Sequence, residues 1–285
     1  MEYQVYQDLE SIIEILEITQ EELARDIGVS RVTVNNWHSG KAAMNDSNIK
    51  LLYEYAFQKG IRLNKIKEQF YIEDYIKEGE ILLFHGSKKG IEGRIDVCHS
   101  KRINDFGKGF YCGESLEQSA MFVATYPDSS LYMLKFNGEG LNKRVFYVDR
   151  DWMLMVAYFR GGLKEYENSE VIKQLIEANA GIDYIVAPIA DNRMFEIIDS
   201  FIDGEITDVQ CRHCLSATNL GSQYVFITQK AVDRITLLEK CYLAGAEKEF
   251  YLTSRQEGFK MNQDKVKLAR KQYRNQGKYI EDILK

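Results

Sequence analysis

The sequence predicts an α+β chain in two parts, an all-helical head followed by a mixed α+β body. Two changes of pattern carry that expectation. Over residues 5–70 the apolar residues recur at helical spacing, and from residue 80 onward short runs rich in Val, Ile, Tyr and Phe alternate with helical stretches. The chain has 285 residues, of which 45% are hydrophobic and 28% charged, enough for about two folded domains. The boundaries read from these changes are 1–72 for the head, 73–80 for a connector, 81–254 for the body and 255–285 for a helical tail.

In the head, Leu9, Ile12, Ile13 and Leu16 fall on one face of a first helix. Thr19 stands three residues before Glu22, the spacing of a capping box, so a second helix starts there. Leu23, Ala24 and Ile27 form its inner face, and Gly28 lets the backbone turn sharply. Ser30 caps a third helix, with Val32, Val34 and Trp37 as its apolar positions, and Gly40 ends it. The stretch "YIEDYIKEGE" is a charged connector. In the body, "EILLFHGS", "SLYMLKF", "RVFYVD", "DYIVAPIA" and "QYVFIT" read as strands. Between them "SLEQSAMFVATY", "DRDWMLMVAYFRG", "SEVIKQLIEANA" and "NRMFEIIDSFIDG" carry helical spacing. Residues 255–285 read as one terminal helix with clustered basic residues, and no internal repeat is present.

Composition narrows the function. The acidic, polar start "MEYQVYQDLESIIEI" is neither a signal peptide nor a membrane span, which predicts a cytoplasmic protein with no membrane partner. Five cysteines (Cys98, Cys112, Cys211, Cys214, Cys241) without a signal predict free thiols in a reducing compartment. The letters "CRHC" supply only Cys211, His213 and Cys214 where structural zinc takes four ligands, so no metal is expected. The net charge is −6, so any contact with nucleic acid has to come from a local patch.

The stretch "DFGKGFYCGES" (105–115) contains the kinase triplet DFG, but no HRD triplet or strand lysine precedes it. Nor does it satisfy a P-loop, because Gly109 is followed by Phe110 rather than lysine.

Two resemblances add to this reading. The pattern "TQEELA…GVSRVTVNNWHSGK" resembles the helix-turn-helix of the Cro and phage-repressor family over about sixty residues. That resemblance implies DNA binding through the third helix, with Gln20, Arg31, Thr33, Asn35, Asn36 and Lys41 at the matching contact positions. Residues 1–70 hold eight lysines and arginines against eleven aspartates and glutamates, a net charge of −3, so a monomeric head is expected to bind DNA weakly. A role in dimerisation or docking is the alternative.

The second resemblance covers residues 81–230. "ILLFHGS", then "FGKGFYCGESLEQSAMF" with its tyrosine 26 residues after His85, is similar to the ADP-ribosyltransferase superfamily in its diphtheria-toxin and poly(ADP-ribose)-polymerase branch. The resemblance implies a split-sheet body that takes NAD as co-substrate without a metal. It implies His85, Tyr111 and Gln223 as the catalytic set, and His85, Gly86, Ser87, Gly109, Tyr111 and Ser119 as NAD-binding residues. The residue types suit the chemistry: His85 can hydrogen-bond the adenosine ribose, Tyr111 can stack on nicotinamide, and Ser119 can donate to the carboxamide. NAD cleavage passes through an oxocarbenium-like state that needs a bent, locked dinucleotide.

The chain departs from the family at Gln223, where a glutamate is usual. A neutral amide can orient the ribose but cannot take a proton. This favours transfer of a single ADP-ribose, and admits NAD hydrolysis or an inert NAD-binding domain. Glu114, Asp191 and Glu196 are the carboxylates that can stand in for the missing base, the last two in or beside the stretch "PIADNRMF". The resemblance implies a bacterial toxin or defence effector with a protein or nucleic-acid acceptor and a neutralising antitoxin. A homodimer stays open. The alternative is a non-catalytic transcription regulator that senses NAD or ADP-ribose.

Overall fold

The computed structural model describes residues 2–190, 192–218 and 221–285, and the chain divides into two compact units. The first comprises residues 1–90, 116–135 and 237–253; the second comprises 91–115, 136–236 and 254–285. The chain therefore passes between the units several times.

The first unit begins with five helices: α1 Val5–Leu16, α2 Gln20–Ile27, α3 Arg31–His38, α4 Asp46–Gln58 and α5 Leu63–Asp74. The capping box at α2 forms as expected: Thr19 Oγ1 accepts from the Glu22 N–H at 3.2 Å, and Glu22 accepts from the Thr19 N–H at 2.8 Å. Gly28 has φ 75°, the left-handed conformation that lets the chain turn into α3, whose cap Ser30 accepts from the Thr33 N–H at 3.0 Å. Leu9, Ile12, Leu23, Val34, Trp37 and Leu52 are buried together. Val32 corrects the sequence expectation, being 67% exposed. Two residues along a helix turn the side chain by roughly 200°, so Val32 cannot share the inward face of Val34.

The same unit takes in part of the body: strand β1 (Glu80–Ser87), helix α6 (Leu116–Val123), most of β3 (Ser130–Asn137) and β7 (Ile235–Cys241), and the start of α12 (Gly245–Gln272). The strands lie in the order β1-β3-β7. Their core is built from Leu82, Phe84, Leu116, Ala120, Leu131 and Cys241. The helical head is continuous with this half of the body. Ala244 belongs to the head's own core, and Tyr53 stacks on Tyr242 with centroids 4.6 Å apart. Lys67 of α5 lies 2.5 Å from Asp8 of α1 and also pairs with Glu239 of β7. Tyr53 donates to Asp8, and Tyr71 donates to Glu239 at 3.0 Å.

The second unit holds strands β4 (Lys143–Val145), β5 (Tyr184–Pro188), β6 (Ser222–Phe226) and β2 (Phe110–Gly113), in that order. β4 and β5 are parallel, and β5–β6 and β6–β2 are antiparallel, so the sheet is mixed. Helices α7 (Arg150–Phe159), α8 (Glu170–Glu177), α9 (Asn192–Ile202), α10 (Asp208–Ser216) and α11 (Gln229–Val232) follow in chain order, with the rest of α12 and α13 (Ile280–Leu284). Trp152, Met153, Val156, Ile198, Phe201 and Val225 are among the residues of its core.

The single terminal helix expected over 255–285 is two helices, and the first starts earlier, at Gly245. The break falls where Asn275 and Gly277 take positive φ of 63° and 89°. There the chain closes on the start of α10, with the Lys278 N–H donating to Asp208 at 2.7 Å. A Cβ on Gly277 would lie 2.6 Å from Val209, so the contact requires glycine.

Candidate functional site

The antiparallel pairing of β2 and β6 places Tyr111 opposite Val225 and Gly113 opposite Gln223. Residues directly opposite, and residues two apart on one strand, share a face, so Tyr111 and Gln223 project from the same side of the sheet. Ile185 and Ala187 of β5 complete that side, since they pair with Val225 and Gln223.

The loop before β2 ties the two residues together. The Tyr111 hydroxyl accepts from the Phe106 N–H at 3.1 Å and donates to the Gly107 carbonyl at 2.8 Å. Burial pushes this hydroxyl well above the usual tyrosine range, so it remains a neutral donor. Gln223 is 7% exposed, and its amide nitrogen donates to Asp105 at 3.0 Å and to the Pro188 carbonyl at 3.0 Å. The other oxygen of Asp105 accepts from Arg160 Nε and Nη2 at 2.9 and 2.8 Å. The Arg160 guanidinium in turn lies 3.2 Å from the centroid of Phe195. The aspartate of "DFG" is thus a buried carboxylate beside the glutamine.

Glycines shape this loop. Gly107 has φ 74°, and a Cβ there would meet Phe159 at 2.9 Å. On Gly109 a Cβ would lie 2.9 Å from the Phe226 carbonyl, so glycine is what allows β2 to enter its pairing with β6. Beside Gly107 and Phe159 a cleft of about 380 Å³ is lined also by Tyr158, Arg102, Lys108 and Lys164. Glu167 lines it too, so the cleft carries three cations, one carboxylate and two rings.

The His-Gly-Ser motif belongs to the first unit, on β1. His85 and Ser87 are half-buried, and the His85 ring centroid is 6.5 Å from that of Tyr132. Gly86 faces α6: a Cβ there would lie 2.6 Å from the Ser119 carbonyl and 2.8 Å from Val123. Ser119 is buried and its hydroxyl donates to the Phe84 carbonyl at 3.2 Å. The Ser87 hydroxyl closes a turn on the Gly90 carbonyl at 2.8 Å. Gly86, Ser87 and Ser119 therefore each have a packing or turn role of their own, besides any ligand.

On the head, Arg31, Asn35 and Lys41 are exposed, and Gln20, Thr33 and Asn36 are half-buried. Arg31 makes an exposed ion pair with Glu21 at 3.5 Å, and the Thr33 hydroxyl lies 2.8 Å from the Ser30 hydroxyl at the helix cap. Exposed Val32 adds an apolar contact surface on the same short helix.

A family model described as a protein of unknown function (DUF3990) matches residues 81–237. That is more than half of the chain. The chain belongs to the DUF3990 family. Ahead of the DUF3990 domain, residues 9–55 match a helix-turn-helix model, so the head is a DNA-binding helix-turn-helix. Searches of the curated proteins and of the solved structures found no match.

Within the DUF3990 domain the proposed stand-in bases fare differently. Glu114 is exposed and hydrogen-bonds Tyr224, while its N–H donates to the Ser222 carbonyl at 3.2 Å. Glu196 is exposed on α9. Asp191 lies outside the described residues, and with it part of "PIADNRMF". The carboxylate in contact with Gln223 is Asp105. The "CRHC" letters sit on α10, where Cys211 and Cys214 are buried and burial pushes both thiols up. His213 stacks on Tyr273 with centroids 3.6 Å apart. Among the described residues no group of three or more His, Cys, Asp or Glu is placed to hold a metal ion. No helix among them is long and apolar enough to cross a membrane.

Proposed function

We propose that the DUF3990 domain is an NAD-dependent mono-ADP-ribosyltransferase, directed or regulated by its DNA-binding head. The observation that carries this reading is the common sheet face of Tyr111 and Gln223, joined through one loop, in a chain whose preceding strand carries His85-Gly86-Ser87. In this reading His85 hydrogen-bonds the adenosine ribose and the Tyr111 ring stacks on nicotinamide. Gln223 accepts a hydrogen bond from a hydroxyl of the nicotinamide ribose. The reaction breaks the bond between that ribose and nicotinamide, and nicotinamide leaves with the bonding pair. The anomeric carbon then bonds to an acceptor nucleophile, whose proton passes to solvent. With water as acceptor the same steps are NAD hydrolysis.

The test is incubation of the full chain with labelled NAD and cell extract. Release of nicotinamide and label on a macromolecule are the expected outcome, lost in Tyr111→Ala and in His85→Ala. No release and no transfer would overturn the reading. A second reading, a regulator that binds NAD or ADP-ribose without cleaving it, is favoured by one feature. The hydroxyl protons of Tyr111 and Ser119 are both taken by backbone carbonyls of the chain itself. Binding of NAD without nicotinamide release would select that reading.

A further inference from the structure

Gln223 is held between two groups that can only accept. Its amide nitrogen lies 3.0 Å from Asp105 Oδ2 and 3.0 Å from the Pro188 carbonyl oxygen. The carbonyl has no proton to give, and Arg160 donates twice to the other oxygen of Asp105. Only the orientation with NH2 toward both neighbours satisfies this arrangement, so chemistry decides which end of the amide is nitrogen. Both amide hydrogens are then in use. What remains of Gln223 for a ligand is its carbonyl oxygen, an acceptor, as a glutamate oxygen would be.

The support behind Asp105 is itself rigid. The aspartate side chain is 8% exposed, and Arg160, which clamps it, is stacked on Phe195. We propose that Asp105, clamped by Arg160, is a positioning residue that fixes the amide of Gln223 as an acceptor toward a ligand hydroxyl. That the hydroxyl is a ribose hydroxyl of NAD rests on the function proposed above; the polarity of the pair does not.

Two substitutions separate the alternatives. An aspartate accepts on both oxygens, but an asparagine has one accepting and one donating end. In Asp105→Asn the accepting end is claimed by the Arg160 cation, which leaves a donor facing Gln223 and turns its amide around. Gln223→Glu alone sets a second carboxylate about 3 Å from Asp105, where like charges repel. The double variant Asp105→Asn/Gln223→Glu restores one donor and one acceptor with the polarity reversed. In thermal unfolding of the full chain without ligand, each single variant is expected to melt lower than wild type, and the double variant to lose less than the sum of the two, since it restores the bond to residue 105 but leaves a carboxylate oxygen facing the Pro188 carbonyl. Additive losses would overturn the pairing.

In NAD consumption, Asp105→Asn is expected to fall about tenfold or more, the effect of one misdirected hydrogen bond, with recovery in the double variant. Wild-type rates in Asp105→Asn would overturn the positioning role. An inactive wild type that binds no NAD would overturn the NAD reading, and the unfolding cycle would still judge the pair. Should Gln223→Glu fail to fold, exchange of the Gln223 side-chain NH2 reads the same bond. It is expected to be slow in wild type and fast in Asp105→Ser, and fast exchange in wild type would overturn the proposal.

Discussion

Glu247, on the first turn of α12, shows how one residue can set a pH dependence. Its carboxylate accepts from Asn64 Nδ2 at 3.1 and 3.2 Å, with the Tyr251 hydroxyl at 3.5 Å, and Arg62 contributes a more distant positive charge. Burial outweighs these partners and pushes the group up to about 7. A carboxyl raised in the folded state binds its proton more tightly there than in the unfolded chain. Its contribution to stability is complete below the unfolded value and is lost as pH rises through about 7. The loss amounts to roughly 3 kcal/mol. Glu247→Gln should therefore gain on wild type in urea unfolding at pH 8 relative to pH 5; a pH-independent difference would refute this account. At this same scale the sequence was legible where chemistry is local. Thr19, Glu22 and Gly28 announce their helix ends because their partners lie within a few residues. Asp105 was not legible, because what gives it meaning is Arg160 and Gln223, 55 and 118 residues away. For Gly86, which the resemblance assigns to NAD, the close approach in the structure is to α6.

Among the elements, α1, α5 and β7 are joined by buried charge. Asp8 and Glu239 each keep 3% of their side-chain surface exposed, and Lys67 between them keeps 13%. Tyr53 and Tyr71 complete the hydrogen bonding of the two carboxylates. Such a group contributes little net stability while intact but is costly to break, because removing the cation strands two buried anions. Lys67→Met is expected to cost about 3–5 kcal/mol in the urea unfolding of the chain. A loss below about 1 kcal/mol, the level of a surface pair, would show that the group is not buried in solution. β7 escaped the sequence reading for a related reason. In "ITLLEKC" Glu239 and Lys240 interrupt the apolar run, yet Glu239 is buried because Lys67 and Tyr71 meet it from elsewhere. "RVFYVD" erred in the other direction: the strand is Lys143–Val145, with one further backbone bond from the Phe146 N–H to the Val186 carbonyl, and Tyr147 is 70% exposed. Strand β1, by contrast, covers the span "EILLFHGS" that its composition indicated.

For the molecule as a whole, the question is how an acidic chain engages DNA. The head has a net charge of −3, so bulk attraction does not supply the affinity, and we propose that directed contacts on and beside α3 do. Arg31 and Asn35 are exposed there to make them. An operator shift by the full chain should disappear in Arg31→Ala/Asn35→Ala while the far-ultraviolet circular dichroism stays unchanged. A shift that survives would place the contact surface elsewhere. The helical head and the α+β character of the body were readable from periodicity, and the helix-turn-helix from its resemblance to the Cro and phage-repressor pattern. The division into units was not, since 237–253 joins the head in space from the far end of the chain.

That last feature bears on how such a protein can be taken apart or recombined. The N–H groups of Gly245 and Ala246 donate to Glu54 at 2.5 and 3.1 Å, and Asn64 donates to the Tyr242 carbonyl at 2.9 Å. Severing the peptide chain at the connector would therefore not free the head. A transplant of residues 1–72 into another protein would deliver an unfinished fold, with Asp8 and Lys67 missing Glu239 and the head's core missing Ala244. A donor segment for this head has to be discontinuous, so its specificity cannot be exchanged as a simple cassette.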